Sequence, residues 1–439
     1  MSNTKDHQLV GYLPDDTPPF WKLVFFALQQ VVVMFPATVM VALLTGFHVS
    51  TTIFASGLAT LGFILVTKGR IPLYYGSSFS YIAAVTAVTG VKAFGEIAPD
   101  IAISQAQCGI VASGLMSILA GAIINKSGRD KIERVLPPVV TGSVAVVIGI
   151  ALAGAAMDQA AGNWTLSIVT LLATILFSVY LRGTLGQLPV LLGVGVGYLV
   201  SAVTGAVDYS AITEAAAFSL PHFTFPKWSP AAILAIMPVA IATIPESTAH
   251  LYQIDLYVNN LAKKLGRKKT YPIADLLGSN LIGDGLADII AGLIGGPAGT
   301  NYGENNSVMA ITRNFSVPVL GLAAVIAMVL SLFGKLAGVV NSVPAAVIGG
   351  VSVYLFGVIG VQGVALMMSE KVDLFSARNL AVAATILIIG IGGSFAFPNG
   401  MIPMGGAQLP AIATAAVFGI VLNLVFEFFP PKQNGAAEE

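Results

Sequence analysis

Tyr75-Gly76-Ser77-Ser78-Phe79-Ser80-Tyr81-Ile82-Ala83 and Tyr302-Gly303-Glu304-Asn305-Asn306-Ser307-Val308-Met309-Ala310 read as two versions of one stretch. Tyr, Gly, Ser and Ala coincide at a single offset. Each copy follows residues that do not comfortably continue a helix: Gly69, Pro72 and the β-prone Tyr74 in the first, Gly295, Gly296, Pro297 and Gly299 in the second. The pattern predicts a short extended stretch followed by a half-helix in each copy. First-turn N–H groups have no carbonyl within their own helix, so they would point at whatever lies between the two copies.

Both copies sit in strongly apolar surroundings. The chain has 439 residues, 56% of them hydrophobic and 10% charged, against about 25% charged for a soluble domain. That composition excludes a water-soluble chain. Net charge is zero, so no basic field points to nucleic acid. The lone cysteine, Cys108, permits neither an intramolecular disulfide nor a cysteine-built metal site. The first twenty residues carry Asp6, Asp15, Asp16, Pro18 and Pro19 in place of a signal peptide's apolar core.

Apolar runs between breakers give about fourteen candidate membrane segments, several of them too short or too rich in Gly and Pro for a straight span. The third, with its core near 79–90, and the tenth, near 304–316, are too short or too broken to cross as straight helices. Cytoplasmic loops are enriched in Lys and Arg. With the N-terminus inside, only Lys92, Lys227 and Lys335 of the 21 Lys and Arg fall outside, which supports an even count with both termini cytoplasmic. Segments three and ten are an odd number of spans apart, so the two copies must run in opposite directions. Such inverted repeats characterise secondary transporters, whose corresponding broken segments line a site near the midplane. The expected organisation is a cytoplasmic tail over 1–20, a first repeat over 21–203, an extracellular linker over 204–230, a second repeat over 231–429 and a cytoplasmic tail over 430–439.

Ionisable groups inside a membrane are costly and usually functional. In segment eight, Thr243, Glu246, His250 and Gln253 recur at spacings of three and four, which puts them on one helical face. Glu246 follows Pro245, expected to loosen the helix there. In segment nine, Asn280, Asp284 and Asp288 form a second stripe. Carboxylates four apart repel when both are ionised, so one should be protonated or meet Arg313 or a hydroxyl. Asp284 is expected to support the site and Asp288 to be structural. Asp275 lies near a loop and is expected to be solvated. Glu304 opens the second half-helix, a position that suits either a capping carboxylate or a ligand. Gly193, Gly195 and Gly197 lack the strand and acidic partner of a dinucleotide loop and read as helix-packing residues. The four histidines lack metal-ligand spacing, so no metal is expected.

Glu304 to Arg313 resembles the signature of the nucleobase/ascorbate transporter family: an acidic or amide residue, Asn-x-Gly, four residues, then Thr-Arg. Pro245-Glu246-Ser247-Thr248-Ala249-His250 is similar to the eighth segment of the family's bacterial uracil-type members, and Gly76-Ser77-Ser78-Phe79 to their third. The likeness extends to Gln29, the Gly285-rich ninth segment and Lys371-Val372-Asp373. Two positions depart from the family: Ser307 replaces the signature glycine, and Gln29-Gln30 stands where a Gln-His pair is usual.

The resemblance implies an all-α polytopic membrane protein of fourteen transmembrane segments in two inverted seven-segment repeats, with strand breaks in segments three and ten. A core domain (segments one to four and eight to eleven) would move against a gate domain (five to seven and twelve to fourteen), with a homodimer formed through the gate. Carried over residue by residue, Glu246 and Glu304 would hold the substrate, the backbone at Phe79 and Gly303 would contact it, Ala37 and Tyr302 would line the pocket, and His250 would approach through water. Asp284, Asn305, Ser307, Thr312 and Gln29 would support them. The implied activity is import of uracil across the cell or inner membrane, with no enzyme chemistry and no cofactor beyond a coupling ion. A neutral base gives the membrane field no handle, so a proton carried by His250, Glu304 or Glu246 is the expected coupling ion. The alternatives are a purine or xanthine carrier of the same family, an anion exchanger of related fold and a membrane-embedded enzyme.

Overall fold

The computed structural model describes residues 11–91, 93–127, 134–182, 185–405 and 407–429. The segments 1–10 and 430–439, most of the two expected tails, lie outside the described residues, as do Lys92, Arg129 and Lys131. The chain is overwhelmingly helical. In order it forms α1 (Phe20–Thr45), α2 (Val49–Val66), β1 (Tyr75–Ser77), a 3-10 turn (Phe79–Tyr81) leading into α3 (Ile82–Thr89), α4 (Asp100–Ser127), α5 (Pro138–Ala151), α6 (Ala153–Ala161), α7 (Trp164–Tyr180) and α8 (Pro189–Val203). A linker containing α9 (Ser210–Glu214) leads to α10 (Pro230–Ile236), α11 (Val239–Lys264), α12 (Leu277–Ile294), β2 (Gly299–Asn301), α13 (Gly303–Thr312), α14 (Val317–Leu330) and α15 (Gly334–Asn341). The chain closes with α16 (Ala345–Ser369), α17 (Ala377–Ala396), a hairpin of β3 (Met401–Met404) and β4 (Ala407–Pro410), and α18 (Ala411–Phe428).

Among the described residues, 9 helical stretches are long and apolar enough to cross a bilayer, or up to 10 with the pair α14–α15, which is bent by 83°. The sequence predicts about fourteen candidate segments, several of them too short or too broken for straight spans, and the full-length apolar helices are correspondingly fewer. Residues 79–89, α7 and α8 are shorter apolar helices, and the two strand-broken stretches each use part of their length as extended chain. The fourteenth segment, expected over 407–429, spends its first four residues in β4. Pro245 lies inside continuous α11, and the break falls earlier, between α10 and α11 at Met237-Pro238. Exposed Leu115, Leu119 and Ile123 recur every fourth residue on α4, an apolar stripe suited to lipid.

Helix packing separates into two groups. One holds α1–α4 with α10–α15, the other α5–α8 with α16–α18; α11 packs on both, and α1 reaches α8 while α3 and α10 reach the β3–β4 hairpin. In lipid, helices gain little from burying apolar surface against each other, so close contact between small residues matters more. At the α4–α12 crossing a Cβ on Gly114 would lie 2.4 Å from the Gly285 carbonyl oxygen. Gly193 and Gly197 pack in the same way on Thr174 and Thr170 of α7, whereas Gly195 faces open space.

The stretch 11–19, within the expected cytoplasmic tail, is docked. The Tyr12 amide donates to the Arg313 carbonyl (2.8 Å), the Phe315 amide to the Tyr12 carbonyl (2.8 Å) and the Val317 amide to the Pro14 carbonyl (3.1 Å), with Leu13 fully buried. Asp16 pairs with Arg267 at 2.9 Å and Asp15 with Lys269 at 2.6 Å. The basic run after α11 thus fastens this segment to the protein.

Candidate functional site

β1 and β2 pair antiparallel in the middle of the first group, Tyr75 opposite Asn301, Gly76 opposite Thr300 and Ser77 opposite Gly299. The two-fold of that pair relates Tyr75 to Gly299, three residues short of the Tyr302 that the sequence likeness matched. Glu304 is therefore the counterpart of Ser80. An isolated three-residue pair is unstable, and buried backbone must be satisfied at membrane depth. Asp288 does part of this work, its Oδ1 accepting from the Tyr75 hydroxyl (2.5 Å) and the Gly299 amide (2.8 Å). The Ser56 hydroxyl donates to the Tyr75 carbonyl at 2.7 Å, and the Thr60 hydroxyl to the same oxygen at 3.1 Å. Asp288 is thus structural, as expected.

Each strand feeds a half-helix. Phe79–Tyr81 and α3 leave β1, and α13 leaves β2, so both helical starts sit beside the sheet with first-turn N–H groups short of intrahelical partners. α11 passes across this junction. Half-buried Glu246 accepts from the Ser80 hydroxyl at 3.1 Å and also from Ser78. It lies within electrostatic range of Glu304, which is half-buried in the first turn of α13 with its carboxylate folded back on its own amide. The capping and ligand roles considered for Glu304 thus fall at one position. His250 is hydrogen-bonded to the backbone of Asn301 and stands against Gly303, where a Cβ would lie 2.8 Å from its Nε2.

Tyr302 is 4% exposed, its hydroxyl 2.9 Å from the Thr38 hydroxyl and its ring over Gly76. A Cβ on Gly76 would approach that ring to 2.3 Å, so only glycine fits under it. Ala37 is buried one residue before Thr38. Phe79 meets Phe356 of α16 edge-on, with centroids 5.4 Å apart, a contact between the two helix groups.

The supporting residues divide. The Ser247 hydroxyl donates to Asp284, while Asn280 donates to Ser247 (2.7 Å) and Asn301 to Asn280 (3.1 Å). This buried network joins α11, α12 and β2 behind the site. Arg313 meets neither segment-nine carboxylate: it is exposed just beyond α13, and hydroxyls take the partner role. Asp275 is exposed, as expected. Asn305 donates to the side-chain oxygen of Gln30 at 2.7 Å and to its carbonyl at 3.1 Å. Gln30 is therefore the tie to α1, and its neighbour Gln29 is also buried. Ser307 is exposed and donates to the Gly303 carbonyl at 3.0 Å, and Thr312 bonds to Val308 within α13. Gln253 and Thr243 likewise use α11 and its neighbours, Gln253 bonding Tyr257 and Thr243 the Ala240 carbonyl. Sequence reasoning missed Ser80, Gln30, Ser247, Asn301 and Phe356. The serine shared by the two copies and the departure at Gln30 were the available signals.

The arrangement presents carboxylate acceptors, half-helix N–H donors and an aromatic face at one place. Fold and site together are those of a membrane transporter. The model of the Permease family (Xan_ur_permease) matches residues 21–399, and the chain belongs to that family, the nucleobase/ascorbate transporters. It is 36% identical to the uracil permease of Bacillus subtilis, covering 97% of both chains. It is 37% identical to the putative pyrimidine permease RutG of Escherichia coli, covering 93% of this chain and 90% of the relative. Among solved structures, the transmembrane domain of the cyanobacterial bicarbonate transporter BicA matches with TM-score 0.56 at 15% identity over 92% of this chain and 96% of that one. The murine anion transporter Slc26a9 in its inward-facing state matches with TM-score 0.63 at 8% identity over 94% of this chain and 69% of that one. These two share the fold, with its core (the first helix group) and gate (the second).

Proposed function

We propose that this permease imports uracil by proton symport through alternating access of core against gate. The carrying observation is that Glu246 on α11 and Glu304 on α13 meet beside two strand-fed half-helices. Uracil offers ring N–H donors flanked by carbonyl acceptors. The N–H groups suit carboxylate oxygens, and the carbonyls suit first-turn amides. Phe79 supplies an apolar face for the ring. Similarity to uracil permeases over nearly the whole chain supports the choice of base.

Glu246, Glu304, Phe79, Gly303, Tyr302 and Ala37 form the proposed site, with His250 and the two glutamates as proton carriers. Asp284, Asn305, Gln29, Ser307 and Thr312 hold its frame, and no cofactor is required. Fourteen segments, cytoplasmic termini, a cell or inner membrane location and a homodimer through the gate complete the reading. Uptake of labelled uracil by cells expressing the protein tests it, with recovery of unchanged uracil. Uptake should rise as external pH falls and collapse with a protonophore. Accumulation that follows an imposed sodium gradient at constant pH would overturn the coupling. Displacement of label by xanthine or urate ahead of thymine or 5-fluorouracil would move the protein to the purine branch.

A further inference from the structure

Three residues that no sequence spacing relates converge at the end of α1 remote from the docked 11–19 segment, about 39 Å away by helix rise. His48 lies in the turn between α1 and α2, Asp100 opens α4, and His222 belongs to the linker before α10. The His222 Nε2 stands 2.9 Å from one Asp100 carboxylate oxygen and 3.1 Å from the other. The His48 Nε2 stands 3.9 Å from Asp100, and the two imidazole centroids are 4.5 Å apart. One donor atom from each residue fits in a group whose members lie within 4.8 Å of one another. The His48 Nε2 is buried yet has no hydrogen-bond partner. A buried unpaired polar atom is costly, so a missing partner is the simplest account of its position.

We propose that His48, Asp100 and His222 form a binding site for a divalent transition metal such as zinc. Two imidazoles and one carboxylate are borderline ligands that suit zinc, whereas calcium and magnesium prefer all-oxygen shells. Ligand bonds of about 2.0–2.2 Å around a tetrahedral ion place donor atoms ~3.3 Å apart. The existing separations bracket that value. The side chains of Asp100 and His222 are 61% and 51% exposed, so both can rotate to close the remaining gap. The fourth position would hold water.

The ion would staple the linker across the ends of α2 and α4. Backbone contacts already seat the linker there: the Thr51 hydroxyl donates to the His222 carbonyl at 2.8 Å, and Gln107 to the Thr224 carbonyl at 2.8 Å. This inference reverses the expectation of no metal, which rested on spacing along the chain. It does not depend on the choice of substrate.

The test uses purified full-length protein in detergent, with any affinity tag removed, titrated with Co2+ and with Zn2+. Co2+ should produce visible d–d absorption that Zn2+ displaces, and Zn2+ should raise the thermal unfolding midpoint while Mg2+ does not. His222→Ala, an exposed position, and His48→Gln should each weaken binding by more than about tenfold, since even outer-shell changes cost that much. Asp100→Asn serves as the third arm should His48→Gln fail to fold. Absence of the Co2+ band, or a band and midpoint shift unchanged in His222→Ala, would overturn the site.

Discussion

At the scale of single residues, the site rests on two carboxylates that lipid would otherwise expel. Glu246→Gln and Glu304→Gln each replace an acceptor oxygen by a donor amide. Each is expected to lose a charge-assisted hydrogen bond worth about 1.5–3 kcal/mol, or roughly 10- to 150-fold in affinity, read by equilibrium binding of labelled uracil to purified protein. Unchanged affinity in both variants would remove them from the site. Glu246 was legible because a charge in an apolar run with polar residues three and four away admits few readings. Ser80 and Gln30 were not legible in this way, because an uncharged hydroxyl or amide, once partnered, leaves no mark in composition. Their role comes from partners 166 and 275 residues away. His48 and His222 illustrate the same limit: a ligand set assembled from a turn, a helix start and a linker has no spacing to recognise.

At the scale of elements, Gly and Pro punctuation foretold both strands, since extended backbone at membrane depth needs such breakers. The register was misread by three residues because the likeness follows the Tyr-Gly dipeptide, whereas pairing follows the two-fold through Gly76 and Thr300. Gly76 carries a prediction of its own: Gly76→Val should drive the Tyr302 ring away from Thr38 and abolish uracil binding, while Gly195→Val, in open space, should leave it intact. Measured binding in the two variants decides it.

The docked segment 11–19 carries another. Hydrogen bonds from Lys269 first and Tyr271 second hold the Asp15 carboxyl below the usual carboxylate range. A depressed pKa stabilises above the unfolded value of about 3.9 and is lost as pH falls through the folded value. The dock should therefore persist from neutral pH to below pH ~4. Its exposed pairs are each worth about 0–1 kcal/mol and weaken in salt. Asp15→Asn with Asp16→Asn should speed hydrogen exchange at the Tyr12 and Phe315 amides, as high salt should in the native chain. Exchange indifferent to both would show that Leu13 and the backbone bonds suffice.

At the scale of the molecule, core and gate pack through apolar side chains of α1 and α16 and through α11, with few polar or aromatic pairs between them. Phe79 touches Phe356, and the Ser352 hydroxyl of α16 lies 3.3 Å from the Met40 sulfur of α1. Within the gate, by contrast, Ser178 of α7 and Tyr354 of α16 are joined by a short hydroxyl bond, and α5 packs on α16 through small residues such as Gly142, where a Cβ would lie 2.8 Å from the Gly363 carbonyl oxygen. On the proposed reading, in which core residues hold the substrate, transport requires the core to move against the gate, and the boundary between them is where that motion would occur. In a Cys108→Ala background, Met40→Cys with Ser352→Cys places a thiol on each side of that boundary, and Ser178→Cys with Tyr354→Cys places both inside the gate. Oxidation of the first pair should stop uracil uptake while leaving binding measurable, and reduction should restore it. Oxidation of the second pair should leave uptake intact. Full uptake with the first pair verifiably crosslinked would mean that α1 and α16 travel together, and the boundary between moving parts would have to be drawn elsewhere.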